Sequence, residues 1–526
     1  MLEGQKNRIH FSKYPNPEEY LKILCESGLT RHLSTYNKIL ELAALIKNAG
    51  GHALLVGGCV RDFLMGRTSK DFDIEVYGLQ AIQVEEIVKT LGKVKEAGKA
   101  FGILKFPLEG GLEIDVSLPR TDSKIGVGHR GFEVKSDPFM SIEDAARRRD
   151  FTINSVAADP LTGQLYDPFC GVEDIKSRIL RITDKERFRD DPLRVLRALQ
   201  FIGRFGLKLD EASIPVIQEM VSQLVELPKE RIGEEWKKLL LKSEKPSLGL
   251  SAGMKLGVFK EIHPELYQLN STIQEPEWHP EGDVWTHTLM VVDEAAKIVR
   301  RENLEDDEAL TILLAALCHD LGKPEVTEFR EGRIKSIGHE AAGEEPARRF
   351  LISLCININI IDKVARLVTN HLVTNSLYRE ERKENSITDG AIRRLARSLY
   401  PATIQELILM GEADHFGRGS LVIENTEQEN SYKNEYRAGL WLLERARILD
   451  VESKKPTDLI RGSEWINLGF KSGINIGKMI DLSNHLRDEM NFTREMVLKA
   501  VEGVNTAESA IGKLESLLET NNFNNY

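Results

Sequence analysis

Between residues 52 and 120 apolar positions come in short alternating or clustered runs: HALLVG, FDIEVYG, FGILKFPLE and LEIDVSLPR. Turn residues bound each run, which predicts short β-strands. The stretches around 59–66 and 80–91 carry helical spacing instead, so about 52–160 reads as a small α/β unit. From about 175 the strand signal nearly vanishes. RVLRALQFIGRFG, IPVIQEMVSQLVEL and GEEWKKLLL place apolar residues three and four apart, as amphipathic helices do. The Pro-bearing stretch HPELYQLNSTIQEPEWHP marks a boundary near 263–280. A second helical region runs to about 420, and a charged helical tail follows from about 430. The first 35 or so residues read as short helical pieces, and the ending NNFNNY as a fraying terminus.

At 526 residues the chain is too long for one core and implies three or four domains. Its 41% hydrophobic and 29% charged residues are those of a globular protein. No apolar run reaches about 18 residues, so no membrane helix is expected. The start MLEGQKNRIHFSKYPNPEEY lacks the apolar stretch of a secretory signal. Five cysteines stand singly, which argues against a zinc ribbon or disulfide framework and fits a reducing cytoplasm. The charge balance, 71 − 82 = −11, is acidic. Any RNA site must therefore be a local basic patch.

The segment VGGCVRDFLMGRTSKDFDIEVYG holds the first constellation. Asp71 and Asp73 are two apart on a predicted strand, so both carboxylates leave one face. Two adjacent carboxylates repel, and a divalent cation between them relieves this. Mg²⁺ suits the arrangement, since it takes one or two carboxylates together with waters and substrate phosphates. Upstream, Gly57-Gly58 lets backbone N–H groups approach a phosphate before a helix near Cys59, and Arg61 stands one turn in to clamp a phosphate oxygen. In LEIDVSLPR, Glu113 and Asp115 alternate with apolar residues. Asp115 either joins the pair from a neighbouring strand or is a plain polar strand residue.

SIEDAARRRDFTIN sets Arg148 and Arg149, which could bind phosphates, before Asp150 and Asn154, which could order the loop or a sugar. In RFRDDPLRVLRALQFIGRFG, Asp191-Pro192 predicts a helix start with Asp191 as N-cap and Pro192 in the first position. Leu193, Leu196 and Leu199 then face the core, while Asp190, Arg194, Arg197 and Phe201 form another stripe. That stripe is either an exposed basic face or a base reader. A carboxylate at Asp191 would accept from the exocyclic amine of cytosine or adenine, and Arg194 would donate beside it. Uracil and guanine would aim a carbonyl at the carboxylate and be rejected.

Farther on, WHPEGDVWTHTLMVV, LLAALCHDLGK, SIGHEAAGEE, VTNHLV and GEADHFGRG supply His287, His319, Asp320, His339, His371 and Asp414. Histidine nitrogens with carboxylates suit transition metals, and one Asp could bridge two ions.

GGCVRD followed by KDFDIE, then RRRDFTIN and DDPLRVLRALQF, resembles the bacterial tRNA nucleotidyltransferase (CCA-adding) and poly(A) polymerase family over roughly residues 50–245. The His-Asp series resembles the HD phosphohydrolase superfamily, which occurs at this place in one branch of that family. The resemblance implies an α+β chain: a polymerase-β-type nucleotidyltransferase head (36–165) after an N-terminal helical extension (1–35), a helical neck with a nucleotide-reading helix (166–265), an HD domain (266–430) and a helical tail (431–526). It implies Asp71 and Asp73 as ligands of two Mg²⁺ ions, and Gly58 and Arg61 at the triphosphate. Arg148, Arg149, Asp150 and Asn154 fall on the arginine motif, and Asp191, Arg194 and Arg197 on the nucleotide-reading helix. His287, His319, Asp320, His339, His371 and Asp414 fall on the HD ligands, for a divalent transition metal. The family motif commonly begins Glu-Asp; here it is Asp190-Asp191, one methylene shorter.

Residues 119–138, PRTDSKIGVGHRGFEVKSDP, resemble the flexible loop of members that add the terminal A, with Gly126, Gly128 and Gly131 suiting a mobile element. The tail resembles the C-terminal helices of HD-bearing or poly(A)-polymerase-like relatives, which implies a role in gripping the RNA elbow or acceptor stem. The implied partners are a tRNA 3′ end, CTP and ATP, without a membrane, and the oligomeric state stays open. The implied activity is CCA addition, joined by HD hydrolysis of 2′,3′-cyclic phosphates or phosphomonoesters. Poly(A) synthesis and CC-only or A-only addition share nearly every motif. An HD phosphohydrolase with a non-catalytic RNA-binding head would have no need of Asp71 and Asp73.

Overall fold

The computed structural model describes residues 33–67, 69, 71–92, 95–97, 103–107, 113–124, 132–384, 387–418 and 435–522. The expected helical pieces before residue 33, the glycines at 126, 128 and 131, and the last four residues of NNFNNY lie outside these. The chain divides into two compact units, Met1–Leu239 with Leu248–Ile262 and Leu240–Ser247 with His263–Tyr526. No helix among the described residues is long and apolar enough to cross a membrane.

The first unit is built on strands β1 (His52–Val56), β2 (Asp71–Tyr77), β3 (Lys95–Ala97), β4 (Ile103–Pro107) and β5 (Glu113–Ser117). Strands β6 (Arg120–Lys124), β7 (Phe132–Ser136), β8 (Ala157–Ala158) and β9 (Leu165–Tyr166) follow. Seven of them form one sheet in the order β3-β4-β5-β2-β1-β8-β9. Strands β2 and β5 run parallel, and every other pair in that sheet is antiparallel. A parallel pair needs a crossover, and the Ala81–Leu91 helix lies in it. Strands β6 and β7 pair as a separate hairpin at the two ends of the glycine-bearing 119–138 segment.

One sheet face is covered by the Leu33–Asn48 and Ala81–Leu91 helices. Ile39, Leu42, Ala43 and Ile46 recur at helical spacing and pack on Ile74, Val76, Ile114 and Val116, all buried. Because strand side chains alternate, burying Ile74 and Val76 sends Asp71, Asp73 and Glu75 to the opposite face.

Beyond the sheet the unit is helical. The Leu193–Phe205 helix starts one residue later than Asp191-Pro192 predicts: Pro192 is its cap, and Asp191 Oδ1 accepts from Leu193 N at 3.1 Å. Phe201, expected on the polar stripe, is buried instead. Its ring lies 5.7 Å from Phe151 and 5.8 Å from Phe205, because an aromatic ring gains more from that cluster than from water.

The second unit is a helical bundle. Its central helix, Asp306–Cys318, is buried at every position from Ala309 to Cys318, as a helix apolar all round must be. Helices Val284–Arg301, Ile358–Asn370 and Ile404–Phe416 surround it. The tail helices Ile474–Met490 and Ala507–Asn522 have their own core around Trp465, Met479, Leu486 and Leu514. The buried Asp488 carboxylate ties that core to Arg393 and Arg397 of the Asp389–Leu399 helix.

Candidate functional site

Two clusters of functional side chains emerge, one in each unit. In the first, β5 sets Glu113 beside Asp71 and Asp115 beside Asp73. Asp115 therefore stands next to the predicted pair, and the acidic row holds three aspartates and Glu113 from two strands. Lys105 of β4 caps its outer edge, with Nζ 3.0 Å from Glu113 Oε2 and 3.3 Å from Asp115 Oδ2. Val56, the last residue of β1, pairs with Asp73, so the chain turns at Gly57 right beside that carboxylate. Gly57 has φ 73° and ψ −130°, a conformation open only to glycine. A Cβ there would lie 3.1 Å from Arg149 Nη1 and 3.6 Å from Asp73 Oδ2. Backbone thus approaches the site where a side chain would fill it.

Burial raises the Asp73 carboxyl above its ordinary range. Arg149 pulls the other way, while Asp115, Asp71 and Glu75 add to the rise. A crowd of carboxylates on one strand pair is electrostatically frustrated, and its all-oxygen donor set fits a hard divalent cation. Behind it Glu75 is buried and receives Arg148 Nη2 at 2.5 Å and Arg149 Nη2 at 3.2 Å, with Tyr77 donating at 2.9 Å. Burial alone would raise Glu75, but the two arginines and the tyrosine bring it below the ordinary glutamate value.

Arg61 is buried and turned away from the acidic row. Its Nη1 donates to Asn154 Oδ1 at 2.7 Å and its Nε to Asp62 Oδ1 at 2.8 Å, and its guanidinium sits 4.5 Å from the Phe205 ring centre. Asn154 Nδ2 donates to Asp150 Oδ1 at 2.8 Å, and Arg197 Nε to Asp150 Oδ2 at 2.7 Å. Arg61, Asn154, Asp150 and Arg197 therefore form one continuous polar chain, with Gly58 packed against Arg61. Arg194 donates to the carbonyls of Arg187 and Arg148, both at 2.8 Å. Asp191 Oδ2 receives Arg231 Nη2 at 3.0 Å.

In the second unit all six predicted ligands converge. His319 and His371 follow the ends of the Asp306–Cys318 and Ile358–Asn370 helices, and His339 opens the short His339–Ala342 helix. Each of these three rings pairs its Nδ1 with the carbonyl three residues earlier: Ala316 at 2.8 Å, Ser336 at 2.7 Å and Val368 at 2.7 Å. A carbonyl only accepts, so Nδ1 carries the hydrogen and Nε2 keeps its lone pair. The lone pairs of His339 and His371 point at one another at 3.1 Å, and His319 Nε2 lies 3.3 Å from His287 Nε2. His287 Nε2 lies 3.1 Å from Asp414 Oδ1 and its Nδ1 2.9 Å from Glu281 Oε1. Asp320 bridges the halves, 3.1 Å from His319 Nε2 and 3.4 Å from His339 Nε2.

Three donor sets result, each within 4.8 Å: His287–His319–Asp414 and Asp320–His339–His371 are fully buried, and His279–Glu281–His287 is partly so. Both Asp320 carboxylate oxygens are buried without a hydrogen bond among the described residues, with Lys323 Nζ 2.8 Å from one as an ion-pair partner. Opposed lone pairs and a buried carboxylate shared between the two halves fit a cation, and the nitrogen-rich set fits a transition metal. Burial, with His319 and His339, pushes His371 down to about 3 and keeps its lone pair free. Burial would lower His287 too, but Asp414 and Glu281 raise it to about 9. The cluster opens into a cavity of about 970 Å³.

Sequence reasoning missed Glu75, Arg231, Glu281, Lys323 and Arg418. Lys323 and Arg418 each had a signal, lying three and four residues after a predicted ligand, close enough to pair with it on a helical turn. Glu75 had the period-two signal of its strand. Arg231 and Glu281 had none.

Residues 53–181 match the Poly A polymerase head domain, 206–269 the probable RNA and SrmB-binding site of polymerase A, and 284–417 the HD domain. The Multifunctional CCA protein of Stenotrophomonas maltophilia (strain K279a) is 34% identical over 406 residues, covering 76% of this chain and 94% of its own length. That of Xanthomonas campestris pv. campestris (strain B100) is 34% identical over 375 residues, covering 69% and 85%. The fold is also similar to the Bacillus stearothermophilus CCA-adding enzyme in complex with CTP, with TM-score 0.58, 19% identity and 93% and 99% coverage. It is similar as well to the Thermotoga maritima CCA-adding enzyme complexed with tRNA, with TM-score 0.54, 19% identity and 95% and 98% coverage. At the identity and coverage of the Multifunctional CCA proteins, this chain belongs to the tRNA nucleotidyltransferase (CCA-adding) and poly(A) polymerase family, in the branch that carries an HD domain.

Proposed function

We propose that this enzyme adds CCA to tRNA 3′ ends from CTP and ATP, and that its HD unit is a phosphohydrolase for 2′,3′-cyclic phosphates or phosphomonoesters. The observation that carries the first part is the row Asp71, Asp73 and Asp115 beside the Gly57 turn. In this reading Asp71 and Asp73 hold Mg²⁺, while His287, His319, Asp320, His339, His371 and Asp414 hold a transition metal. When bound, such ions supply Lewis-acid neutralisation of charge at the reacting phosphoryl oxygens.

The chain's own residues do the rest. Gly57 leaves room for a triphosphate beside Asp73, and Arg149, fixed by Glu75, faces the same space with its charge. The RNA 3′-hydroxyl oxygen releases its proton to solvent and bonds to the α-phosphorus, the α–β phosphoanhydride bond breaks, and pyrophosphate leaves. Asp191, held by Arg231, accepts from the exocyclic amine of cytosine or adenine. Arg194 exchanges its carbonyl contacts for the base edge. In the HD unit Glu281 orients His287, and Lys323 and Arg418 balance the charge of Asp320 and Asp414.

The test is incubation of tRNA lacking its 3′ end with Mg²⁺ and CTP, ATP or both, read at single-nucleotide resolution. C, C and A followed by a stop is the expected product. Two C additions, or a long A ladder, would replace CCA addition by a CC-only or poly(A) activity. No incorporation would overturn the head as a catalytic centre.

A further inference from the structure

The Val373–Glu384 helix has the sequence VTNSLYREERKE, in which Arg379, Arg382 and Lys383 are interleaved with as many glutamates. Nothing in that composition marks a basic site. The fold separates the charges. Arg379, Arg382 and Lys383 stand at i, i+3 and i+4, hence on one face, and all three line the cavity over the histidine–aspartate cluster. Glu381 turns elsewhere, accepting from Ile387 N at 3.0 Å and pairing with Arg445 at 3.5 Å.

The three cations are exposed and make no ion pair among the described residues. Lys323 and Arg418, the other cations of the cavity, are already committed to Asp320 and Asp414. The positive charge on the rim is therefore surplus to what the cluster needs, in a chain whose net charge is −11. Trp278 also lines the cavity and is 59% exposed, offering an indole face to water. A cavity of about 970 Å³ sits at the top of the roughly 300–1,000 Å³ range for small-molecule sites, far larger than one phosphate requires. Cations in a row for backbone phosphates, beside an aromatic face for a base, are the parts of a single-strand binding track.

We infer that this cavity takes the 3′-terminal stretch of a single-stranded RNA, its backbone along Arg379, Arg382 and Lys383 and a base on Trp278. The inference rests on the phosphohydrolase reading of the cluster and adds its substrate class: an RNA end in preference to a free mononucleotide or inorganic phosphate. For a 2′,3′-cyclic end, a water oxygen bonds to phosphorus and one ribose O–P bond breaks. The released ribose oxygen takes a proton from that water, and no electrons are exchanged.

The experiment uses the full chain loaded in turn with Mn²⁺, Co²⁺ and Ni²⁺, and a variant with R379A, R382A and K383A combined. Substrates are a short single-stranded oligonucleotide ending in a 2′,3′-cyclic phosphate and the matching cyclic mononucleotide. The expected result is a higher kcat/KM for the oligonucleotide in the parent chain, and a fall of about tenfold or more in the oligonucleotide-to-mononucleotide ratio in the variant. Equal ratios in the two proteins would overturn the inference. Binding of a 3′-phosphorylated oligonucleotide by fluorescence anisotropy is the second readout. Three lost phosphate contacts at about 0.7 each should flatten the slope of log affinity against log salt by about 2, and an unchanged slope would overturn the track. Absence of hydrolysis on every substrate and metal would defeat the phosphohydrolase reading instead, leaving anisotropy to decide whether RNA lies there.

Discussion

His339 Nε2 stands 3.1 Å from His371 Nε2, while the Nδ1 of each ring is anchored to the carbonyl three residues before it. Both nitrogens that face each other are lone-pair donors, an arrangement that only a cation or an added proton makes favourable. Burial, with His319 and His339, holds His371 down to about 3, so that ring takes no proton near neutrality.

Titrating Mn²⁺, Co²⁺ or Ni²⁺ into metal-stripped protein should therefore raise its thermal midpoint. The gain is about 2.7 kcal/mol once the free ion is at a hundred times its Kd. His371→Ala should abolish that rise and lower the metal bound per chain. An equal rise in the variant would mean that the stabilising ion binds elsewhere.

The acidic row of the first unit gives a second expectation. Asp73→Ala should reduce nucleotide incorporation by about 10³-fold, corresponding to about 4 kcal/mol of transition-state stabilisation. Asp115→Asn keeps the shape of the side chain next to Asp73 and removes one charge. It should lower incorporation less than Asp73→Ala and shift the Mg²⁺ requirement upward. Single-turnover assays across a Mg²⁺ series measure both, and full activity of Asp73→Ala at ordinary Mg²⁺ would remove the row from the mechanism.

How much of this was legible in the sequence depended on the kind of signal. Period two put Asp71 and Asp73 on one face of a strand, and β2 has that strand. It did not say which strand lies alongside, because β2 and β5 join across a helix in parallel, and register between distant strands leaves no local trace. Asp115 was therefore undecided until the pairing placed it. The six HD positions were legible as residue types in order, whereas Glu281 was not, since its role comes from a loop folding back onto His287. Phe201 failed for another reason. Helical spacing set it with Arg194 and Arg197, but the helix is buried on more than one side, and Arg197 lies over the Phe201 ring at 5.0 Å.

Acid should weaken the first unit through Asp150. Burial would raise this carboxyl, but Arg197 and Asn154 hold it below its ordinary value of 3.8. A depressed folded-state pKa means the contribution is complete above the unfolded value and is lost as pH falls through the folded one. The stability gap between the parent chain and Asp150→Asn should thus be widest near neutrality and close below about pH 4. Thermal melts of both proteins from neutral to acid pH measure it. A gap that widens toward acid would contradict the ion pair with Arg197.

The last expectation concerns nucleotide choice. Asp191 Oδ2 receives Arg231, and Oδ1 receives Leu193 N, so the carboxylate is fixed by a cation on one side and by backbone on the other. A base edge meeting it finds an acceptor that cannot rotate into a donor. Asp191→Asn would present an amide able to do both, and uracil's carbonyl would no longer be rejected. Discrimination for CTP over UTP should fall by about 1–3 kcal/mol, roughly 5- to 150-fold. Arg231→Ala should move it the same way by less, since the acceptor stays but loses its anchor. Competition between CTP and UTP on tRNA lacking its 3′ end, read by product sequencing, separates the two effects. If Asp191→Asn lowers the rate for both nucleotides equally, the residue positions the helix and a different group reads the base.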